Sequence, residues 1–198
     1  MKTRLTEKKL KSLYRLLSAP MIDFDCGELC APGNGGIPVC CENEDVVPVL
    51  FNEEYKYHWK NGRFWKRMPP ISKEIKKFIE EAEDYYIFGK CPGPAGCERS
   101  KRSFNCRTFP LEPYLDKDGE IVGLAYADAR QIDCPLIGKP MKIFNPDYVR
   151  NVIKFWEEMF KYYPEEKETY IDESRKRDRR IKRLKERQKK LSILRRAE

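Results

Sequence analysis

A single histidine, His58, stands in the 198 residues, which excludes any site built on clustered imidazoles, such as a His-Glu-x-x-His zinc protease. No uninterrupted apolar run approaches the ~20 residues needed to cross a bilayer, so no membrane span is expected. No Walker or dinucleotide glycine pattern occurs, and Gly33-Asn34-Gly35-Gly36 precedes no helix signal. Internal repeats of fixed period are lacking. The opening Met1-Lys2-Thr3-Arg4 leads into a mixed polar segment without an apolar h-region or a small-residue cleavage site. No signal peptide is read there, and a reducing, cytoplasmic setting is expected.

Cysteine and charge are what the chain has in excess. The eight cysteines are Cys26, Cys30, Cys40, Cys41, Cys91, Cys97, Cys106 and Cys134; four fall within sixteen residues and three more within another sixteen. In a reducing compartment such clustering points to thiolate metal ligation rather than disulfides. One alternative stays open: the Lys/Glu/Arg richness has a thermophilic look, and hyperthermophile cytosols tolerate disulfides. The first group is Cys26-x3-Cys30-x9-Cys40-Cys41 and the second Cys91-x5-Cys97-x8-Cys106, with Cys134 at a distance. Thiolates are the usual ligands of zinc and of iron–sulfur clusters, and short loops wrap a metal with little loss of chain entropy. Neither group has the paired Cys-x2-Cys spacing of a zinc ribbon. The adjacent Cys40 and Cys41 are awkward on one tetrahedral ion, but natural if they serve two metals or two irons. Cys91-Pro92 and Cys134-Pro135 add a weak pointer to iron–sulfur ligation. The plain alternative is that some of the eight, Cys134 first, are buried thiols acting as small hydrophobes.

Local patterning predicts an α+β chain. Thr6 caps a first helix carrying Leu10, Leu13, Tyr14 and Leu17, ended by Pro20. Residues 23–41 form a glycine- and proline-rich loop, and residues 46–51 a short buried strand. Tyr55, Tyr57 and Trp59 alternate with charged residues, so 55–68 reads as a hairpin turning at Asn61-Gly62. On that reading His58 is an exposed surface residue, and Tyr55, Tyr57, Trp59, Phe64 and Trp65 pack the hairpin, with a stacking platform as the alternative. Ser72 caps a second helix with Ile75, Phe78, Ile79 and Ala82 on its inner face. A second hairpin turns at Asp116–Gly119, and Asn145-Pro146-Asp147 opens an amphipathic helix closed by Pro164. The expected organisation is a small metal-organised domain over 1–164, with short hairpins and amphipathic helices, followed by a basic helical tail over 165–198. The loops 23–41 and 91–106 bury little apolar surface unaided, so folding is expected to depend on the metal.

The formal charge of +8 is uneven: residues 174–198 hold 13 Lys/Arg and 3 Asp/Glu, a net of +10, and the rest a net of −2. The tail is therefore the candidate contact for nucleic acid or a protein partner. It is expected to pack little on the domain, so that deleting 174–198 leaves stability intact. Among the cysteines, Arg99, Lys101, Arg102 and Arg107 offer charge balance for thiolates or are simply a basic loop. Asp25 and Glu28 offer oxygen ligands or caps for loop amides.

Cys91-x5-Cys97-x8-Cys106-Arg107-Thr108-Phe109-Pro110, with Cys40-Cys41 upstream, resembles the YkgJ-type cysteine-cluster family of zinc- or iron-chelating proteins. The likeness covers roughly residues 24–137. It departs from the family pattern where nine residues separate Cys30 from Cys40, and where Arg102-Ser103 stands in place of Arg-Pro. The resemblance implies metal ligation by Cys40, Cys41, Cys91, Cys97 and Cys106 above all. It favours a 4Fe–4S iron–sulfur cluster slightly over zinc, in a redox, electron-transfer or cluster-assisted transferase role. A non-catalytic zinc module that presents the basic tail to nucleic acid or a partner is the alternative.

Overall fold

The computed structural model describes residues 4–41, 48–70, 72–128 and 132–194, and its core is built by two capped helices far apart in sequence. Thr6 has extended backbone, accepts the Lys9 N–H through Oγ1 at 3.3 Å and opens α1 (Glu7–Leu16). Asn145 takes the Asp147 N–H at 2.8 Å and opens α6 (Pro146–Tyr162) with proline in its first turn. These caps replace helix partners that the first amides lack. The two helices pack on each other, joining Leu10, Leu13 and Leu17 to Tyr148, Val152, Phe155, Trp156 and Met159, none more than 2% exposed. Burying each such side chain is worth ~1.5–3 kcal/mol. The seam is thus apolar and contains no cysteine.

Between the two helices lie the remaining elements: α2 (Gly27–Cys30), α3 (Asn52–Lys60), α4 (Lys73–Glu81), α5 (Phe104–Thr108) and five short strands. β1 (Val49–Phe51) and β2 (Lys66–Arg67) flank β3 (Tyr86–Lys90) in an antiparallel sheet. The first residues of the expected strand, Val46 and Val47, lie outside the described residues. β4 (Leu111–Leu115) and β5 (Ile121–Tyr126) form the hairpin expected around Asp116–Gly119. Asp116 Oδ1 accepts both Asp118 N–H and Glu120 N–H at 2.9 Å, and Gly119 takes φ +80°, which closes the turn. The architecture is α+β.

The expected hairpin over 55–68 is corrected. Residues 52–60 are helix α3, and Asn61-Gly62 ends that helix, with Asn61 N–H donating to Tyr57 and His58 carbonyls. The alternation of aromatic and charged residues mimics a strand, but the side chains that turn inward are Phe51, Glu54 and His58, at helical spacing. Two of these three are polar, so hydrophobic periodicity misses the buried face. His58 is accordingly buried rather than exposed, and Tyr55 stacks on Trp59 one turn away along the outside. The Ser72 cap and α4 occur as expected, except that Phe78 is 54% exposed while its ring meets Phe88 at 5.0 Å.

The long polar helix α7 (Pro164–Leu194) also departs from expectation, because its first half docks on the body. Glu166 is buried and accepts the hydroxyls of Tyr85 and Tyr86. Ile171 joins the core. The ladder register shifts between Tyr114 and Leu115, and the Leu115 N–H donates instead to Ser174 Oγ at 3.0 Å. Arg177 pairs with Glu112, and Arg180 with Asp128 at 2.6 Å. From Ile181 to Gln188 every residue is exposed. Removing 181–198 should therefore leave the urea midpoint within about 0.5 kcal/mol of the full chain, whereas removing 174–198 strands the Leu115 amide and Glu112. That longer deletion should cost on the order of 2 kcal/mol or more. Equal unfolding midpoints for the two truncations would contradict the docking.

Candidate metal centre

Each cysteine group is folded by the residues between its cysteines. After Asp23-Phe24, Asp25 Oδ1 accepts the Gly27 N–H at 2.9 Å, so this carboxylate caps a loop amide. Gly35 and Gly36 adopt φ +59° and +82°, which side chains resist, and the chain thereby curls back so that Pro38 sits 3.1 Å from where a Gly27 Cβ would be. Cys91 follows β3 directly. Gly93, at φ +85°, turns the chain toward Cys97. Ser103 caps α5, its Oγ accepting the Cys106 N–H at 3.2 Å. Cys134 lies in the loop that leads to α6.

All eight cysteines line one cavity of about 110 Å³, walled on its apolar sides by Trp65, Phe109, Pro110 and Leu136. That is several times the ~10–15 Å³ one water needs. Every cysteine is half-buried and none is in a disulfide. Trp65 was read from sequence as hairpin packing. Its indole in fact lies on Gly89, where a Cβ would meet ring carbon at 2.8 Å, and its Nε1–H donates to Lys101 O at 2.9 Å. Trp65 thus fastens the second cysteine loop to β3.

The sulfurs sit among donors and among one another. Arg102 Nε donates to Cys97 Sγ at 3.3 Å, and Ser103 Oγ donates to Cys106 Sγ at 3.3 Å. Cys40 and Cys41 share a thiol hydrogen bond that lowers Cys41 to about 7 and holds Cys40 far up. Burial pushes Cys106 up to about 11, opposed by the Ser103 hydroxyl, and burial also raises Cys26 and Cys134. The charge of Cys41 is felt by Cys106, and that of Cys106 by Cys40, so the two sequence groups form one electrostatic unit. Among the described residues, no three Cys, His, Asp or Glu side chains already stand arranged to hold a metal ion. The thiols line the cavity without forming a coordination sphere. The donor set itself suits a thiophilic centre: sulfur on every side, with an N–H and an O–H aimed at two of the sulfurs.

Behind Cys106 lies a polar cluster with no signature in the sequence. Glu54, fully buried, accepts the Phe104 N–H at 2.7 Å, the Phe51 N–H at 3.2 Å and the Tyr14 hydroxyl at 2.6 Å. The single Tyr14 proton goes to Glu54, so His58 donates its Nε2–H to Tyr14 Oη across 2.7 Å. Arg107 lies over the Tyr14 ring at 4.7 Å and donates to the carbonyls of Arg99, Ser100 and Arg102. These contacts tie α1, α3 and α5 together at the base of the cavity.

Compared with protein-family models, with curated proteins and with solved structures, the chain matches none of them.

Burial lowers His58 to about 4 from its ordinary 6.5 and raises Glu54 to about 7 from 4.5. A depressed histidine contributes stability above pH 6.5 that is lost as pH falls toward 4; a raised carboxyl contributes stability below pH 4.5 that is lost as pH rises through 7. The two slopes oppose each other in the wild type. His58→Gln should therefore unmask the Glu54 slope, its stability relative to wild type improving steadily as pH drops from 6.5 to 4 in urea unfolding. A difference between the two proteins that does not vary with pH would contradict a neutral, buried His58.

Proposed function

We propose that the protein is a cysteine-cluster metal protein in which thiolates from 26–41, 91–106 and Cys134 hold an iron–sulfur cluster of the 4Fe–4S type. The observation that carries this reading is the gathering of all eight cysteines, none disulfide-bonded, onto one half-buried cavity. Cys41, Cys91, Cys97 and Cys106 are the favoured ligands, since Cys41 lies within electrostatic reach of Cys106 and of Arg102, and Arg102 in turn touches Cys97. These thiols would hold the cluster from loops rich in glycine and proline. When bound, a cluster of this type supplies one-electron redox chemistry. The chain's own residues do the rest: Arg102 and Ser103 donate to sulfur and so set the potential, while Trp65, Phe109 and Leu136 keep bulk water from the cavity. Electron transfer or redox sensing in the cytoplasm is the role that fits. The motif likeness to YkgJ-type proteins supports the same reading.

A second reading is favoured by the free half of α7. Ile181–Gln188 is exposed and basic, and no helix among the described residues is long and apolar enough to cross a membrane. On that reading the metal is a structural zinc, and the tail is presented to nucleic acid, with affinity falling steeply as salt rises.

Elemental analysis of anaerobically purified protein decides between them. Brown protein with iron and acid-labile sulfide is expected; colourless protein with zinc selects the second reading, and protein lacking both metals rejects both. The seam between α1 and α6 contains no cysteine, so the dependence of folding on metal is proposed to fall first on the cysteine loops. Stripping the metal should speed hydrogen exchange in 24–41 and 91–106 by at least tenfold while the central amides of α6 stay protected. Uniform loss of protection would show that the metal organises the whole fold.

A further inference from the structure

The wall that carries Cys26, Cys97 and Cys106 has a second side. There the segments 20–26 and 97–107 enclose another cavity, of about 350 Å³, which shares those three cysteines and Arg102 with the thiol cavity. This volume is in the range of small-molecule sites. Its polar lining is dominated by Arg99, Arg102 and Arg107, and its apolar lining by Met21, Ile22 and Phe24.

Three guanidinium groups around one pocket call for negative charge, and the chain provides little. Among the described residues no carboxylate lies within ion-pair distance of any of the three. Asp25, the one acid on the wall, turns Oδ1 to the Gly27 amide. Arg107 lends charge only, because its nitrogens are taken by backbone carbonyls. Arg99 holds the Ala19 carbonyl with one Nη at 3.0 Å, and Arg102 holds Cys97 Sγ with Nε; the other N–H groups of both have no partner among the described residues.

Counter-charge for thiolates would account for Arg102, which touches sulfur. It does not account for Arg99, which reaches no sulfur, nor for Phe24, a rim aromatic left 46% exposed. The geometry points to a binding site for a small organic oxyanion, a phosphate monoester or carboxylate held by Arg99 and Arg102 with its apolar body against Met21, Ile22 and Phe24. The guanidinium fork matches both oxyanions. Shared walls place the bound molecule next to the thiols, so its role as a reaction partner rests on the metal reading, while its binding does not.

The test is calorimetric titration of the full chain with phenyl phosphate, benzoate and inorganic phosphate, with metal content measured on the same samples. One organic probe per chain is expected to bind at least tenfold tighter than inorganic phosphate; phenyl phosphate ahead assigns a phosphate ligand, and benzoate ahead a carboxylate. Arg99→Met should weaken the organic probe about tenfold, the effect of one charged hydrogen bond, and Phe24→Ala should remove the preference over inorganic phosphate. Both side chains are solvent-exposed at the rim, so each variant checks the other should one fail to fold. Binding unaltered by both substitutions, as the basic tail alone would give, overturns the site, as does equal affinity for all three probes. Metal-bearing protein that binds no probe overturns the pocket and leaves the metal reading standing. Probe binding by protein devoid of metal does the reverse.

Discussion

The Glu54 carboxylate on the Phe104 amide is the contact from which the cysteine site hangs. Helix α5 is five residues long, far below the length at which a helix holds itself together, yet it carries Cys106 and is followed by the Phe109-Pro110 wall. It is held from three directions. Glu54 takes its first amide from α3, Tyr148 of α6 donates its hydroxyl to the Arg107 and Thr108 carbonyls at 2.9 and 3.0 Å, and Arg107 lies on Tyr14 of α1. An acceptor that serves three donors in a fully buried position is costly to disturb, because removing it strands each donor. The polar cluster thereby transmits the rigidity of the α1–α6 seam to the thiol cavity.

The parts of this fold that were legible in the sequence are those where the burying residues are apolar and the caps are local. Thr6, Ser72 and Asn145 each cap a helix as their positions predict, and Asp116–Gly119 turns the hairpin. The α3 helix was misread because its inward face is Glu54 and His58, and their partners, Tyr14 and Phe104, are 40 and 50 residues from Glu54. The docking of α7 was missed for the same reason. Glu166, Ser174 and Arg177 make it together with Ile171, and hydrophobic periodicity is silent about the polar three. The strand β3 has no signal of its own, as its fourth position is Gly89, needed so that Trp65 can approach. At the cysteine site the clustering of residues was readable, whereas the shared cavity depends on chain closure across more than a hundred residues.

Charge is distributed with the same dependence on tertiary contacts. The tail looks uniformly basic in sequence, but Arg177 and Arg180 are engaged by Glu112 and Asp128 of the hairpin. Beyond Arg180 the sequence holds 8 Lys/Arg against 2 Asp/Glu, and Ile181–Gln188 is exposed, so less of the tail's charge is unengaged than the sequence alone implies. The arginines near the cysteines are the opposite case. A loop that reads as an ordinary basic stretch is folded so that three arginines line one pocket with no carboxylate pair among the described residues.

Arg102 lines both cavities, which constrains how the two could work together. An oxyanion beside thiolates is repelled by them; unit charges 4 Å apart at an effective dielectric near 20 interact by ~4 kcal/mol. A cation on the shared wall offsets that repulsion for both occupants, and Arg102, with Nε on Cys97, is the one cationic side chain that lines both cavities. Loss of its charge would therefore disturb thiolate and anion together, and measurements on it would confound the two sites. Arg99 touches no sulfur and Ser103 donates to sulfur without lining the arginine pocket. Those two residues separate what Arg102 couples: altering Ser103 acts on the thiolate side, altering Arg99 on the anion side, and any effect of one on the other's site must pass through the shared wall.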